Sequence, residues 1–324
     1  MTIKLGIVGY GNLGKGVERA IEQNDDMELV AIFTRRDVSS IDGVNSKLVN
    51  IKDIESYKGK IDIMMLCGGS ATDLRTQGPE IAAHFNTVDS FDTHAKIPEY
   101  FEEMDKIAKE NGNTSLISTG WDPGLFSLNR LLGQCVLPKG EDYTFWGKGI
   151  SQGHSDAIRR IDGVKKGAQY TIPNESLLDE VRCGNEPKIE GNDGHVRVCY
   201  LVTEEGADQA KIEDEIVNMP NYFAEYDTTV HFVSEEEFNK EHTGMPHGGS
   251  VFRSGTTTDD TKQVIEFKLN LESNPSFTSS VATAYARAVY KYSEEGRTGA
   301  ITVLDIPFAY LSPKSGAELR KELL

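Results

Sequence analysis

The sequence has little that would place the protein in a membrane. No apolar run approaches the roughly 20 residues that span a bilayer, and hydrophobic residues make up only 38% of the chain. The N-terminal residues MTIKLGIVGYG enter a strand pattern at once, without a basic segment or a cleavage site of the secretory kind. We therefore expect no membrane insertion and a cytoplasmic location.

Positive charge is also scarce. Lys and Arg number 34 against 51 Asp and Glu, so the formal net charge is −17. Such a charge repels a polyphosphate backbone, and no long basic face offsets it. Binding to nucleic acid is therefore not expected. Internal repeats are absent as well, which excludes a solenoid or propeller.

Cysteine is rare, with four in 324 residues. Cys67, Cys135, Cys183 and Cys199 have neither zinc-ligand nor redox-pair spacing. We expect reduced, packed thiols. No metal is predicted.

The first part of the chain, to about residue 120, alternates short apolar runs with helical patterns. Its strand patterns are KLGIVGYG, MELVAIFTRR, IDIMMLCGGS, NTVDSFD and TSLIST. Apolar strands separated by helices favour a parallel sheet with right-handed crossovers, covered on both faces. The predicted fold class is therefore α/β, with a Rossmann-type doubly wound N-terminal domain.

After Gly124 the strand patterns become rich in β-branched and aromatic residues, and GSVFRSGTT followed by KQVIEFKLNLE indicates an antiparallel hairpin. This predicts an α+β second domain. The segment SFTSSVATAYARAVYKYSEEG is typical of a long helix that ends at Gly296, after which the chain should pack back on the first domain. The predicted boundaries are 1–120 with 277–324 for the first domain and 121–276 for the second.

The motif GYGNLG, residues 9–14, fits the dinucleotide fingerprint because it lies between a strand and a helix. Gly9 would permit a tight turn and Gly11 would let the backbone approach a pyrophosphate. Gly14 would allow close packing of the helix on the strand. The motif therefore predicts nucleotide binding at a helix N-terminus.

The second strand ends in Thr34, Arg35 and Arg36, where an NAD site would have an acid that accepts a hydrogen bond from the ribose 2′-hydroxyl. A guanidinium cannot accept this bond, but its charge and its fork of donors suit a 2′-phosphate. We therefore predict NADP. The alternative is a solvated pair of surface arginines, with Asp37 serving as the acid slightly late.

Three further strand ends carry polar or small residues. The loop 67–70, CGGS, would let a cofactor lie against the backbone, unless it is a plain turn. Asp92 and Asp122 follow two neighbouring strands and could hold a cationic substrate group. Helix caps or turn aspartates are the open alternative for both.

The second domain contributes Trp146, the segment 151–156 (SQGHSD) and the segment 241–249 (EHTGMPHGG). His242 and His247 lie five residues apart in a glycine-rich segment, and no cysteine or carboxylate set completes a metal site. Loop histidines that contact a substrate carboxylate fit better, and structural histidines remain possible.

Seven motifs together closely resemble the meso-diaminopimelate dehydrogenase family over essentially the whole chain. They are GYGNLG, FTRR, FDTH, STGWDPGLFSLNR, TFWGKGISQGHSDAIRRIDGV, QYTIP and EHTGMPHGG. The resemblance implies an NADP-dependent homodimer, active in lysine and cell-wall precursor synthesis. The implied reaction is the reversible oxidative deamination of the D-centre of meso-2,6-diaminopimelate to L-2-amino-6-oxopimelate and ammonia.

The resemblance also implies a set of site residues. The cofactor contacts it implies are Gly9, Tyr10, Gly11, Asn12, Leu13, Gly14, Thr34, Arg35, Arg36, Cys67, Gly68, Gly69, Ser70, Ser90, Phe91, Asp92, Thr119, Gly120, Trp121, Asp122 and Pro123. The substrate contacts it implies are Asp92, Asp122, Trp146, Gln152, Gly153, Thr171, Arg197, His247 and Asn274. In this interpretation the first domain binds NADP, whereas the second binds substrate and dimerises.

Given this substrate, Arg197 suits the distal carboxylate, with Thr171, His247 and Asn274 as additional contacts. Asp92 and Asp122 are the candidate catalytic residues near the D-amino group, and Asp122 is the candidate base. Two alternatives stay open. One is a dihydrodipicolinate-reductase-like enzyme that reduces a cyclic imine, and the other is a non-enzymatic NADP sensor.

Overall fold

The computed structural model describes residues 2–41, 46–220, 222–259 and 261–324. The strands of these residues are β1 Ile3–Val8, β2 Met27–Thr34, β3 Leu48–Asn50, β4 Ile63–Leu66, β5 Asn86–Asp89, β6 Thr114–Leu116, β7 Gly140–Trp146, β8 Gly149–Ile150, β9 Val164–Pro173, β10 His195–Thr203, β11 Thr228–Phe232, β12 His247–Thr258, β13 Thr261–Leu271 and β14 Gly299–Ile301.

The α-helices of the same residues are α1 Asn12–Glu22, α2 Arg75–Ala82, α3 Ile97–Asn111, α4 Leu125–Val136, α5 Gln152–Arg159, α6 Glu175–Arg182, α7 Gln209–Val217, α8 Glu235–Glu241, α9 Asn274–Glu294 and α10 Gly316–Leu323. One π-helical turn, Ser70–Leu74, precedes α2. No helix of the described residues has the length and apolarity needed to cross a membrane.

Two units make up the chain. The first runs up to Leu128 and resumes at Pro275, and the second is Asn129–Asn274. The functional division drawn from the sequence, with boundaries after residues 120 and 276, stays a prediction.

The first unit contains a sheet of seven parallel strands in the order β14-β6-β5-β4-β1-β2-β3. Its two faces are covered by separate cores. Tyr285 and Ala286 of α9 pack with Leu5 and Ile7 on one face, and Tyr100 and Met104 of α3 belong to the core on the other. Strands buried on both faces explain the near-continuous apolar runs of β1 and β4. The predicted doubly wound α/β fold is confirmed.

The second unit contains two smaller sheets, with strand orders β11-β10-β9-β8 and β13-β12-β7. β12 and β13 form the predicted antiparallel hairpin. By contrast, β10 and β11 pair in parallel. The helix α7 lies between them in the chain, and such a crossover is what a parallel pair requires.

Two sequence-based expectations are wrong in this unit. Cys135 and Cys183 are free thiols but exposed, not packed. The glycine-rich segment predicted as a loop opens strand β12, so His247 is a strand residue. A Cβ at Gly248 would lie 2.1 Å from the Leu269 carbonyl oxygen and one at Gly249 would lie 2.4 Å from that of Phe145. Glycine is therefore what allows a central strand this close to both neighbours.

Candidate active site

The glycine loop follows β1 at the carboxyl edge of the parallel sheet. Gly9 has a φ of +92°, a conformation that favours glycine. A Cβ at Gly14 would lie 2.1 Å from the Gly9 carbonyl oxygen, whereas one at Gly11 would meet nothing within 4 Å. Gly14 thus brings α1 close to β1, and Gly11 leaves open space above the loop. This fits the approach of a pyrophosphate to the helix N-terminus.

Arg36 lies beside the same loop. Its Nη2 donates to the Tyr10 carbonyl oxygen at 2.6 Å, and its amide donates to the Thr34 hydroxyl at 3.1 Å. The Arg35 side chain, 64% exposed, pairs with Asp73. Asp37 accepts the Ser39 amide at 3.0 Å as the cap of a short helix. The Arg36 guanidinium therefore lies beside the glycine loop, whereas that of Arg35 is paired with a carboxylate, and the nearby Asp37 already has a local partner.

The loop 67–70 lies next to the glycine loop. The Cys67 amide donates to the Val8 carbonyl oxygen at 2.8 Å, and the Gly69 amide donates to Asp73 at 3.1 Å. The Ser70 hydroxyl accepts the Asp92 amide at 3.0 Å, which ties this loop to the next one. The small residues predicted here thus form a shallow strand-end loop held by its neighbours.

The loops after β5 and β6 meet at Asp89. This carboxylate is 1% exposed. It accepts the amides of Phe91 and Ser118 at 3.0 and 2.9 Å and the Tyr100 hydroxyl at 2.8 Å. Burial raises the pKa of Asp89 to about 6, although these hydrogen bonds favour the ionised form.

Asp92 and Asp122 lie on these two loops. Asp92 is exposed and Asp122 is half-buried. A Cβ at Gly124, where φ is +134°, would lie 1.8 Å from the Gly120 carbonyl oxygen, so the loop between them is tightly closed. Trp121 is buried there, edge-on to Phe126 at 5.3 Å. The fold thus brings both candidate catalytic carboxylates to the edge that carries the glycine loop.

In the second unit, Arg197 lies near the start of β10, an inner strand of the four-stranded sheet, and is 7% exposed. Its Nη1 donates to the hydroxyl of Thr171 on the adjacent strand, and its guanidinium carbon lies 3.8 Å from the ring centroid of Tyr226. Within the described ranges the Nε atom has no hydrogen-bond partner. Among the described residues no carboxylate lies within ion-pair distance of this guanidinium. Burial accordingly lowers the pKa of Arg197.

Trp146 is held by His195. The Trp146 amide donates to His195 Nε2 at 2.8 Å, and the two rings stack at 5.3 Å. Burial, with the charge of Arg197 as a second cause, lowers the pKa of His195 to about 4. His195 is therefore neutral near pH 7 and able to accept this bond. The indole itself stays 38% exposed.

Gln152 and Gly153 begin α5, which the Ser151 hydroxyl caps. A Cβ at Gly153 would meet nothing within 4 Å, so this helix start is open. The Gln152 amide nitrogen lies 3.5 Å from Met245 Sδ. These contacts connect α5 to the segment that leads into β12.

His247 is the first residue of β12, and Asn274 is the first residue of α9, which follows β13. The Asn274 amide donates to the Met245 carbonyl oxygen at 2.9 Å. A Cβ at Gly149 would lie 2.4 Å from the His247 ring, and Gly149 pairs with Thr171. Arg197, Thr171 and Gly149 thus follow one another across the four-stranded sheet, and the His247 ring of the other sheet lies against Gly149.

His242 does not join this group. Its ring stacks on Tyr200 at 4.0 Å, and its Nδ1 lies 3.0 Å from the Tyr170 hydroxyl oxygen. These contacts favour a structural histidine, one of the two alternatives that the sequence left open, and its role stays a prediction. No group of three or more His, Cys, Asp or Glu in the described ranges is arranged to hold a metal ion.

Sequence reasoning missed three residues that organise the site. His195 lies two residues from Arg197 on one strand, so their side chains share a face, and this alternation could have indicated it. Asp89 lies within the strand pattern NTVDSFD, in which Ser90, Phe91 and Asp92 were predicted as site residues and Asp89 was not. For Tyr226 no sequence signal exists, because its place under Arg197 depends on tertiary packing.

The sheet order, with a glycine loop after its first strand, is typical of a dinucleotide-binding protein of doubly wound type. Within this class, the chain belongs to the meso-diaminopimelate D-dehydrogenase family. The family model for the diaminopimelic acid dehydrogenase C-terminal domain matches residues 120–273. The meso-diaminopimelate D-dehydrogenase of Ureibacillus thermosphaericus is 62% identical over 99% of both chains. The resemblance inferred from the motifs is confirmed.

Solved structures agree with this assignment. The diaminopimelate dehydrogenase of Corynebacterium glutamicum in complex with DAP is 42% identical, covers 100% of both chains and has a TM-score of 0.92. An engineered D-amino acid dehydrogenase bound to NADP⁺ is 40% identical, with the same coverage and a TM-score of 0.87.

Proposed function

We propose that the protein catalyses the reversible, NADP-dependent oxidative deamination of the D-centre of meso-2,6-diaminopimelate. Substrate, NADP⁺ and water give L-2-amino-6-oxopimelate, ammonia, NADPH and a proton. The observation that carries this proposal is the buried guanidinium of Arg197, which has no carboxylate partner among the described residues of a chain in this family. A buried charge of this kind is expected to receive an anion.

NADP is proposed because the residues fit its parts. The open space at Gly11 fits the pyrophosphate, and Arg35 and Arg36 supply positive charge for a 2′-phosphate. The loops 67–70, 90–92 and 119–123 would contribute the remaining contacts. When bound, NADP⁺ supplies the hydride acceptor for the D-centre.

The second unit is proposed to bind the amino-acid end that does not react. Arg197 and the Thr171 hydroxyl would hold its carboxylate, and His247 and Asn274 would add polar contacts. Trp146, Gln152 and Gly153 would line the same pocket. Since the two ends of the substrate have the same groups but opposite handedness, fixing one end decides which hydrogen the other presents.

Asp92 and Asp122 are proposed to act on the reacting amino group. Asp122 would accept a proton from the substrate ammonium at a carboxylate oxygen, which frees the nitrogen lone pair needed to form an imine. Asp92 would stabilise the cationic nitrogen. Trp121, buried beside Asp122, would limit the access of water.

A homodimer and a cytoplasmic location are part of the proposal on the strength of the family. Exposed apolar side chains on α4 support an interface, namely Leu131, Leu132 and Val136. Sedimentation equilibrium of the wild-type protein and a Leu132→Glu variant tests this, because a monomeric wild type would contradict it.

The decisive experiment compares stereoisomers. NADP⁺ reduction is measured with meso-, LL- and DD-diaminopimelate, and the expected result is turnover of the meso isomer and none of the LL isomer, which has no D-centre. NADPH binding without turnover of any isomer would favour a sensor. NADPH oxidation with a cyclic imine but not with L-2-amino-6-oxopimelate and ammonia would favour a dihydrodipicolinate-reductase-like enzyme.

A further inference from the structure

Asp89 is a buried carboxylate at the end of β5 to which the resemblance assigns no role. It is 1% exposed. Its Oδ1 accepts the Phe91 amide from its own loop and the Ser118 amide from the loop after β6. Its carbonyl oxygen accepts a third amide, that of Thr119, at 2.9 Å. One residue therefore binds the backbone of two loops.

The surroundings of Asp89 leave it little freedom. Tyr100 of α3 donates to its Oδ2 at 2.8 Å, and the Tyr100 ring stacks on Phe91 at 4.3 Å. A Cβ at Gly78 would lie 2.2 Å from the Tyr100 hydroxyl, so α2 closes over this side. The carboxylate is thus held by Tyr100 of α3, which in turn packs against α2.

The loop after β6 contains a residue in an unusual backbone conformation. Ser118 has a φ of +56°, which non-glycine residues rarely adopt. A buried acceptor for its amide favours this conformation. Four residues further on is Asp122, and the loop on the other side carries Asp92. The amide of Asp92 is in turn held by Ser70.

We infer that Asp89 is a positioning residue, which fixes the two loops carrying Asp92 and Asp122 by accepting one backbone amide from each. This inference rests on the proposed function for the meaning of these carboxylates. The geometry on which it stands does not depend on the substrate.

Asp89→Ala removes both acceptors of the side chain and Asp89→Asn keeps an oxygen that can accept both amides. We expect kcat with meso-diaminopimelate to fall about 100-fold in Asp89→Ala, the loss that a displacement of about 1 Å can cause. The kcat of Asp89→Asn should stay within about tenfold of the parent value. Should Asp89→Ala fail to fold, Asp89→Ser should show the same loss, because its hydroxyl cannot reach both amides.

Tyr100→Phe is the matched control. It removes the donor to Oδ2 and lowers Tm, but it leaves the bonds to Phe91 and Ser118 intact. We expect its kcat to equal that of the parent below the unfolding transition. A fall in kcat equal to that of Asp89→Ala would show that destabilisation alone explains the loss and would overturn the inference.

Hydrogen exchange gives a readout that needs no substrate. The amides of Phe91 and Ser118 should exchange faster in Asp89→Ala than in the parent, and at the parent rate in Tyr100→Phe. Unchanged exchange in Asp89→Ala would overturn the inference even if activity fell. A parent that does not turn over meso-diaminopimelate would instead refute the proposed function, while the exchange result would still decide the role of Asp89.

Discussion

Arg287 in the first unit and Arg197 in the second are both buried, but among the residues that the structure describes only Arg287 has a carboxylate partner. Arg287, 3% exposed, makes a bidentate pair with Asp26, with N–O distances of 2.6 and 2.7 Å. It also donates to Asn24 and to the Leu311 carbonyl oxygen. Arg197 has a hydroxyl and a tyrosine ring instead.

This difference separates two uses of a buried cation. The Arg287 guanidinium makes its hydrogen bonds within the chain. It connects α9 to the loop before β2 and stabilises the fold. A guanidinium left without a carboxylate is costly in the free protein. Such a guanidinium is therefore expected only where an external anion binds and compensates its charge.

The largest expected effect is that of Arg197→Met on catalysis. If the guanidinium makes two charge-assisted hydrogen bonds to substrate, at about 2 kcal/mol each, kcat/KM with meso-diaminopimelate should fall about 1000-fold. Tm should stay equal or rise, because an uncompensated buried charge is removed. Arg197→Lys keeps the charge but not the forked guanidinium donors, so its kcat/KM should lie between those of the parent and Arg197→Met. Normal kcat/KM with a lower Tm would make Arg197 a structural residue like Arg287.

The same substitution at Arg287 should have the opposite effect. Arg287→Met leaves Asp26 without its partner, so the free energy of unfolding should fall by about 3 kcal/mol. Urea unfolding measures this loss, and kcat/KM per folded molecule should not change. A lower kcat/KM at temperatures where the variant is fully folded would contradict the assignment of Arg287 to stability alone.

The exposed pair Arg35 and Arg36 extends the comparison to the surface, where Arg35 pairs with Asp73 and Arg36 donates to the Tyr10 carbonyl oxygen. The double variant Arg35→Ala with Arg36→Ala should weaken NADPH binding about 100-fold and leave NADH binding nearly unchanged. Fluorescence titration with both cofactors measures this. Asp37→Ala is the control, because its carboxylate already caps a short helix. An equal loss for both cofactors would exclude a 2′-phosphate contact.

The smallest effect concerns His195. Its pKa in the folded protein is about 4, against an ordinary 6.5. As pH falls from 6.5 towards 4, the unfolded chain binds a proton that the folded protein does not, so stability should decrease over this window. In His195→Gln the fall of Tm with decreasing pH should be shallower.

Arg197→Met sharpens this test. Burial of His195 remains in that variant, but the second cause of the low pKa, the nearby positive charge, is gone. The pKa of His195, measured by NMR, should therefore rise towards its ordinary value. An unchanged value would show that Arg197 does not act on this ring.

The sequence indicated the doubly wound unit well, because parallel strands buried on both faces give apolar runs that need no partner to be recognised. It also indicated the glycine loop and the arginine pair, because each of them is a continuous segment of the sequence. The glycine-rich start of β12 could not be recognised as a strand, because its reason lies in the close approach of Leu269 and Phe145 from other strands.

The residues of the candidate site could be predicted from the sequence where they belong to a motif. They could not be predicted where their position depends on tertiary packing. Arg197 came from the resemblance, but only the structure shows that no carboxylate of the described part of the chain pairs with it. In the same way Tyr226 and Asp89 act through neighbours that are distant in sequence, so their roles required the structure.

The anchoring of two loops by Asp89 has a thermodynamic consequence. Substitutions at Asp92 and Asp122 should not be independent, because a shift of one loop changes the acceptor shared with the other. A double-mutant cycle on kcat should therefore give an interaction energy of about 0.5–3 kcal/mol, the range found for residues coupled through a common network. In an Asp89→Ala background the same cycle should approach additivity, since each loop would then relax without the other.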